Sequence, residues 1–307
     1  MTENPVTTTI AARPASTDTA ALARAYREAR ARRAKRAGLL KHIFLILTSL
    51  IMIYPLIWMI SASFKPDNQI FGSLSLWPQT FDWDNYGQGW NALSVSFTRF
   101  FLNSTLVTVL SVIGNVISCS FAGYAFARLE FTGKNIWFAL MMMTLMVPYH
   151  VVLIPQYLLF LNLGWVNTYL PLIVPKFLAG EAFFIFLMIQ FFRQLPRELD
   201  EAAMIDGCSP FKIYWAIIMP LSLPAMATAA IFSFIWTWED FLGPLVYLNK
   251  VEDYTVPLAL RMFLSQDGAS QYGPMFAMSI LSILPIFLFF IIFQRLIIRG
   301  IAMSGLK

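Results

Sequence analysis

The chain has 307 residues, 58% of them apolar and only 13% charged, with a mean hydropathy of +0.64 and a formal net charge of +5. This excludes an ordinary soluble domain, in which about 25% of residues are charged, and points to a protein that crosses a membrane several times. The modest basic excess sits beside apolar segments, where it sets topology, and no nucleic-acid partner is expected.

Residues 1–20 are rich in Thr, Ala and Pro, show no apolar period and lack the means to bury a core, so they are expected to be unstructured. Ala21 to Ala37 is dense in Ala and Arg, a good helix former. Its charge fixes topology and would also attract anionic membrane lipid, at about 1 kcal/mol per basic residue near the surface. Residues 1–41 are thus read as a cytoplasmic tail.

A helix needs about 20 apolar residues to cross a bilayer core. Six such spans are predicted: His42 to Ala62, Phe100 to Phe126, Asn135 to Pro155, Tyr169 to Phe192, Leu223 to Val246 and Met275 to Ile298. The first is not a signal peptide, because a polar stretch precedes it and its apolar run exceeds the roughly 7 to 15 residues of a signal core. Residues 42–99 combine that span with an outer segment, Phe64 to Thr98, whose Trp77, Phe81, Trp83, Tyr86 and Trp90 are dense enough for a small lid or docking surface. Residues 100–307 hold five spans with short links, and Gly114 and Gly123 in the second let neighbouring helices approach.

Basic residues near spans are retained on the cytoplasmic side. They gather before the first span, at Arg128 and Lys134, at Arg193, Arg197 and Lys212, and at Arg295, Arg299 and Lys307. The outer segments hold only Lys65, Arg99, Lys250 and Arg261. Both termini and the segment around residues 193–220 are therefore assigned to the cytoplasm. Cys119 and Cys208 read as packing residues, and His42 and His150 lie too far apart in sequence for a metal pair. Lys176 and Glu181, five apart in the fourth span, do not share a helix face and are assigned at most an interhelical pairing.

The most informative segment is Glu201-Ala202-Ala203-Met204-Ile205-Asp206-Gly207, followed nine residues later by Ile217-Ile218-Met219-Pro220. Acidic Glu198, Asp200 and Glu201 favour a helix start, Gly207 permits a turn, and Ser209-Pro210 can cap and open a second helix. A helix, a turn and a helix would then lie along the membrane face. This run resembles the EAA loop of ATP-driven importer permeases, with Met219 where leucine is usual. The resemblance implies a coupling helix that docks on an ATP-hydrolysing subunit, carried by Glu201, Ala202, Ala203, Asp206 and Gly207.

Further motifs sharpen the likeness: Ser63-Phe64-Lys65-Pro66, Asn85-Tyr86, Gly123-Tyr124-Ala125-Phe126-Ala127-Arg128, and Arg299 to Lys307. Together they resemble the G-type permease subunit of maltose-type carbohydrate importers, from about residue 42 to the end. The implied fold is all-α, the type I ABC importer permease with a MetI-like core and six transmembrane helices in the cell inner membrane. The implied partners are a second homologous permease, an ATP-binding subunit dimer and an extracytoplasmic sugar-binding protein, with ATP and Mg held by the ATPase. The chain itself has no phosphate loop, no Gly-x-Ser-x-Gly turn and no His-Glu-x-x-His pair, so it is read as a non-catalytic subunit.

Trp238-Glu239-Asp240-Phe241 stands where sugar permeases often show Trp-Asn-x-Phe. A charge at the bilayer centre costs about 2.5 to 3.5 kcal/mol, so Glu239 and Asp240 are expected at a wet cavity or polar partner, and Gly243-Pro244 is expected to break the helix. Trp236, Trp238, Glu239 and Asp240 are the candidate borders of a translocation path. Competing readings are a permease for polyamine or phosphate, an ion-coupled secondary transporter, which leaves the EAA run unexplained, and an intramembrane enzyme.

Overall fold

The computed structural model describes residues 17–73, 75–264 and 270–304, side chains of the terminal helices in part. It divides into two compact units, residues 1–58 and 59–307. The first unit is the body of one helix, α1 (Thr17–Ala62), which joins the basic stretch to the first apolar span without a break. The expected unstructured stretch lies outside the described residues up to residue 16, and Thr17 to Ala20 already belong to α1.

The second unit begins with the outer segment, which carries α2 (Asp67–Ile70) and α3 (Asp84–Asn91). Two motifs distant in sequence meet here. Asn85 Nδ2 donates to the carbonyls of Ser63 (3.1 Å) and Lys65 (3.0 Å), and the hydroxyls of Ser63 and Tyr86 lie 2.9 Å apart. Lys65 is buried and donates to the Ser75 carbonyl at 2.6 Å. Phe64 packs its ring against Phe81, Trp83 and Tyr86, so the aromatic residues of this segment form their own small core.

Helix α4 (Phe97–Arg128) is the axis of the unit and packs against three later helices, α7 (Leu170–Phe177), α8 (Ala182–Gln194) and α12 (Leu223–Trp238). Its glycines explain the fit. A Cβ on Gly123 would stand 2.6 Å from Met188 Cβ, and one on Gly114 would overlap the Phe177 ring. Small polar side chains join the helices where no water is present to do so: Asn115 Nδ2 donates to Ser233 Oγ (3.1 Å) and Ser111 Oγ to the Leu172 carbonyl (3.4 Å).

Among the described residues, four helices or near-continuous pairs are long and apolar enough to cross a membrane, or up to six if each of two bent pairs counts as one span. The predicted third span is such a pair: α5 (Lys134–Thr144) and α6 (Tyr149–Asn162) meet at 102°. Pro148, extended at φ −61° and ψ 131°, caps α6, lacks an N–H and disfavours helix in the residue before it. The predicted fourth span is broken between α7 and α8, where Ala179 adopts a left-handed φ of 54°. The predicted fifth span is shorter than expected. Helix α12 ends at Trp238, before Gly243-Pro244, and α13 (Leu242–Tyr247) follows, because Asp240 Oδ1 turns back to accept the Gly243 N–H (3.0 Å). Helices α14 (Val256–Arg261) and α15 (Tyr272–Ser304) complete the unit, the latter packed on α12.

Candidate functional site

Between α8 and α12 the chain builds α9 (Glu198–Ile205), a turn, α10 (Pro210–Ile213), a π-helical stretch Tyr214–Ile218, and α11 (Met219–Leu221). Three acidic residues occupy the first turn of α9, where they meet the positive end of the helix. Its C-terminus closes with paired bonds: Gly207 N–H donates to the Met204 carbonyl (3.0 Å) and Cys208 N–H to that of Ala203 (2.9 Å). That closure needs a left-handed residue, and Gly207 supplies it at φ 77°. Ser209 Oγ then accepts the Lys212 N–H (3.4 Å) and Pro210 takes the first helical position.

The loop has an inner and an outer face. Ala203 is buried in a core with Phe192, Tyr214 and Ile218, whereas Glu201, Ala202, Asp206 and Gly207 are exposed. Ile205 is 87% exposed, and Met204 and Phe211 also stand out from the body. Ile217 of the motif is partly buried against the core and its neighbour Ile218 is fully buried there, and Pro220 precedes a 77° bend between α10–α11 and α12.

Sequence reasoning valued Arg128 as a topology-setting basic residue and as part of a resemblance, and Asp200 as a helix starter. The structure joins them. Arg128 Nη1 contacts Asp200 Oδ2 at 2.8 Å, with side chains 3% and 14% exposed. Its Nη2 donates to the carbonyls of Phe192 (2.7 Å) and Leu195 (2.8 Å), satisfying the end of α8. Tyr124 OH donates to the Pro210 carbonyl (3.0 Å) and Ser120 and Tyr214 share a hydroxyl bond (2.7 Å). The end of α4 therefore grips both halves of the helix-turn-helix. Nearby Glu130 is a surface residue whose carboxyl is held below the usual carboxylate range by its hydrogen bond to Lys134, 2.9 Å away, and by that charge.

The four candidate path residues do not share one environment. Trp238 is buried among Phe101, Phe234 and neighbouring core residues, and its indole donates to the Ser282 carbonyl (3.0 Å). Trp236 is half exposed against Phe183, Phe184 and Phe232, and Glu239 is exposed. Asp240 is half-buried, with Lys176 and Glu181 within electrostatic reach.

Those two residues differ from expectation: Lys176 Nζ and Glu181 Oε1 form an ion pair with each other within one span. The reason is the break between α7 and α8, which cancels the angular separation a continuous helix would impose. Helix α4 secures this break, Ser118 Oγ donating to the Lys176 carbonyl (2.7 Å) and Cys119 Sγ to that of Glu181 (3.7 Å). Irregular backbone at membrane depth persists where it is covered by protein or lines a cavity.

Among its described residues the second unit is helical, with apolar segments long enough to cross a membrane several times and a helix-turn-helix held by α4, and these features define a polytopic membrane protein. The chain belongs to the family of binding-protein-dependent transport system inner membrane components, whose model matches residues 114–302. It is 35% identical to an arabinooligosaccharides transport system permease protein of Halalkalibacterium halodurans, over 84% of this chain and 92% of the relative. It is 32% identical to a trehalose/maltose transport system permease protein of Thermococcus litoralis, over 89% of this chain and 99% of the relative. Its fold matches a chain of a crystal structure of a bacterial ABC transporter that imports the acidic polysaccharide alginate, with a TM-score of 0.74 and 22% identity over 86% of this chain and 97% of that one.

Proposed function

We propose that the chain is the permease subunit of an ATP-driven carbohydrate importer, forming half of the translocation path beside a second, homologous permease. An ATP-binding subunit dimer, which holds ATP and Mg, docks on the loop of residues 198–213, and an external sugar-binding protein delivers the solute. The observation that carries this reading is the helix-turn-helix itself: Glu201, Ala202, Ile205 and Asp206 face outward while Ala203 and Arg128 root the motif in the body. A rigid, rooted projection can pass a partner's motion to the spans; a loose loop would absorb it. The loop and both termini lie in the cytoplasm, in keeping with the flanking Arg193, Arg197 and Lys212.

The sugar assignment draws on the two relatives named for arabinooligosaccharides and for trehalose/maltose. Trp236, Glu239 and Asp240 border the path, with Trp238 as the packed base behind them. The test uses Glu201→Lys and Gly207→Pro in the reconstituted transporter. Glu201 is exposed, so its reversal perturbs docking rather than folding. Proline at 207 demands φ near −65° and removes the N–H bound to Met204. Either variant is expected to abolish ATP-driven uptake while the spans stay inserted. Unchanged substrate-stimulated hydrolysis and uptake would overturn the docking role.

A further inference from the structure

The outer segment folds back onto the end of the first span. Ser61 Oγ donates to the Leu76 carbonyl, Lys65 Nζ to the Ser75 carbonyl (2.6 Å) and the Asp82 N–H to the Phe64 carbonyl (2.8 Å). Ser75 Oγ accepts the Trp77 N–H (3.2 Å) and tightens the turn. Residues 75–83 are thereby tied at both ends to residues 61–65, and Pro78 is buried between the ties. What this short piece turns outward is apolar: Leu76 and Phe81 are exposed, and Trp77 and Trp83 are 73% and 67% exposed. Their rings form a continuous run, Trp77 edge-on to Phe81 (5.7 Å), Phe81 beside Phe64 (6.0 Å) and Phe64 edge-on to Trp83 (4.8 Å). Exposed apolar patches rimmed by polar residues mark protein or membrane interaction sites.

The depth of the patch decides what covers it. The apolar part of α1, Lys41–Ala62, has 22 residues, about 33 Å at 1.5 Å per residue, which matches a hydrocarbon core of about 30 Å. With charged Lys41 at one edge of that core, Ser61 and Ala62 stand at the other. Leu76 bonds to Ser61 and Trp77 follows it, so the patch begins where acyl chain gives way to headgroup, the layer in which tryptophan is enriched. A soluble protein would have to enter that layer to reach it. The charges agree. Lys65 is the single basic residue between positions 64 and 98, and it is buried. Within residues 75–83 the one charge is Asp82, half-buried, whose Oδ1 accepts the Asp84 N–H (3.0 Å). The patch thus gives a charged protein surface nothing to pair with and gives anionic lipid no attraction, whereas neutral and zwitterionic headgroups suit amphipathic rings.

We infer that Leu76, Trp77, Phe81 and Trp83 form a lipid-facing foot in the headgroup layer of the leaflet opposite Lys41. The same segment holds α15: Asp67 Oδ1 accepts the Gly273 N–H (2.7 Å), Phe71 packs edge-on to Tyr272 (5.0 Å), and a Cβ on Gly273 would stand 2.5 Å from Asn85 Oδ1. The foot thereby fixes the last turn of α1 and the first turn of α15 at one depth in the membrane, and α15 in turn packs on α12.

The test places the full chain, labelled with fluorotryptophan, in nanodiscs of phosphatidylcholine. Among its nine tryptophans, the fluorine NMR signals of Trp77 and Trp83 are assigned by their loss in Trp77→Phe and Trp83→Phe. Both rings lie on the surface, so these variants keep the fold. Two relaxation probes are compared, a lipid spin-labelled beside its headgroup and a water-soluble gadolinium chelate. The lipid probe is expected to broaden both signals severalfold more than the chelate does, and replacing part of the phosphatidylcholine by phosphatidylglycerol should leave that ratio unchanged. Equal broadening by the two probes overturns the lipid contact. Broadening by the chelate alone also overturns it and leaves the patch open to a soluble protein instead. A lipid effect that appears only with phosphatidylglycerol overturns the charge argument. The measurement needs neither ATP nor uptake, so its outcome is independent of the importer reading.

Discussion

Replacing Arg128 by alanine should loosen the coupling loop without touching its outer face. In the folded chain one guanidinium serves three acceptors, the Asp200 carboxylate and the carbonyls of Phe192 and Leu195. Truncation leaves a nearly buried carboxylate and the end of α8 without their donor, and breaking a buried pair by removing one partner costs about 3–5 kcal/mol. The lower end, about 3 kcal/mol, applies here, because a single contact joins the charges and Arg128 Nε and Asp200 Oδ1 are unpartnered in the protein. That energy falls on the pose of α9 relative to α4 and α8, and it lowers the population ready to dock by up to roughly 100-fold. Apparent affinity for the ATPase falls by the same factor at most. Titration of the solubilised permease pair with the ATPase subunit measures it directly, and uptake in vesicles reports the consequence. Arg128→Lys should recover only part of the loss, since an ammonium cannot fork to reach all three acceptors. Removing Asp200 as well should restore some affinity, because the orphaned charge disappears. If Arg128→Ala docks and transports like wild type, or if the two losses simply add, the proposed grip on the loop is wrong.

Two other expectations concern the spans. Gly123→Ala places a Cβ 2.6 Å from Met188 Cβ, where α4 and α8 meet; overpacking of this kind costs about 1–3 kcal/mol, and a lowered melting temperature in detergent checks it. Asp240→Asn keeps the oxygen that accepts the Gly243 N–H, so assembly is expected to be normal, while uptake falls because a charge beside Lys176 and Glu181 is gone. Full transport by that variant, together with Glu239→Gln, would remove both residues from the path.

The features legible in the sequence are those whose causes are local. The helix-turn-helix of residues 198–213 reads directly because its start, its left-handed closure at Gly207 and its second opening at Ser209-Pro210 are each decided by a few neighbouring residues. The number of apolar segments reads well for the same reason, since partition into lipid is a sum over adjacent side chains. Hydropathy is blind to bends, however, because a broken apolar helix and a straight one have the same mean. The turn before Pro148 and the break at Leu178 to Glu181 left their marks in Pro148, Pro175 and Gly180, which a reading for apolar length passes over.

The same blindness hid the pairing of Lys176 with Glu181. Their spacing argues against contact only if the helix is continuous, and the two charges are themselves a reason for it not to be. Closing on each other lets both remain at membrane depth without the full cost of an isolated ion. Arg128 and Asp200 could not be joined from sequence at all, since 72 positions separate them and no periodicity links the end of a span to the first turn of a loop helix. Yet the proposed coupling depends on this long-range bond: a helix-turn-helix can be pushed by a partner anywhere, but only one whose root is held by α4 would move the spans with it.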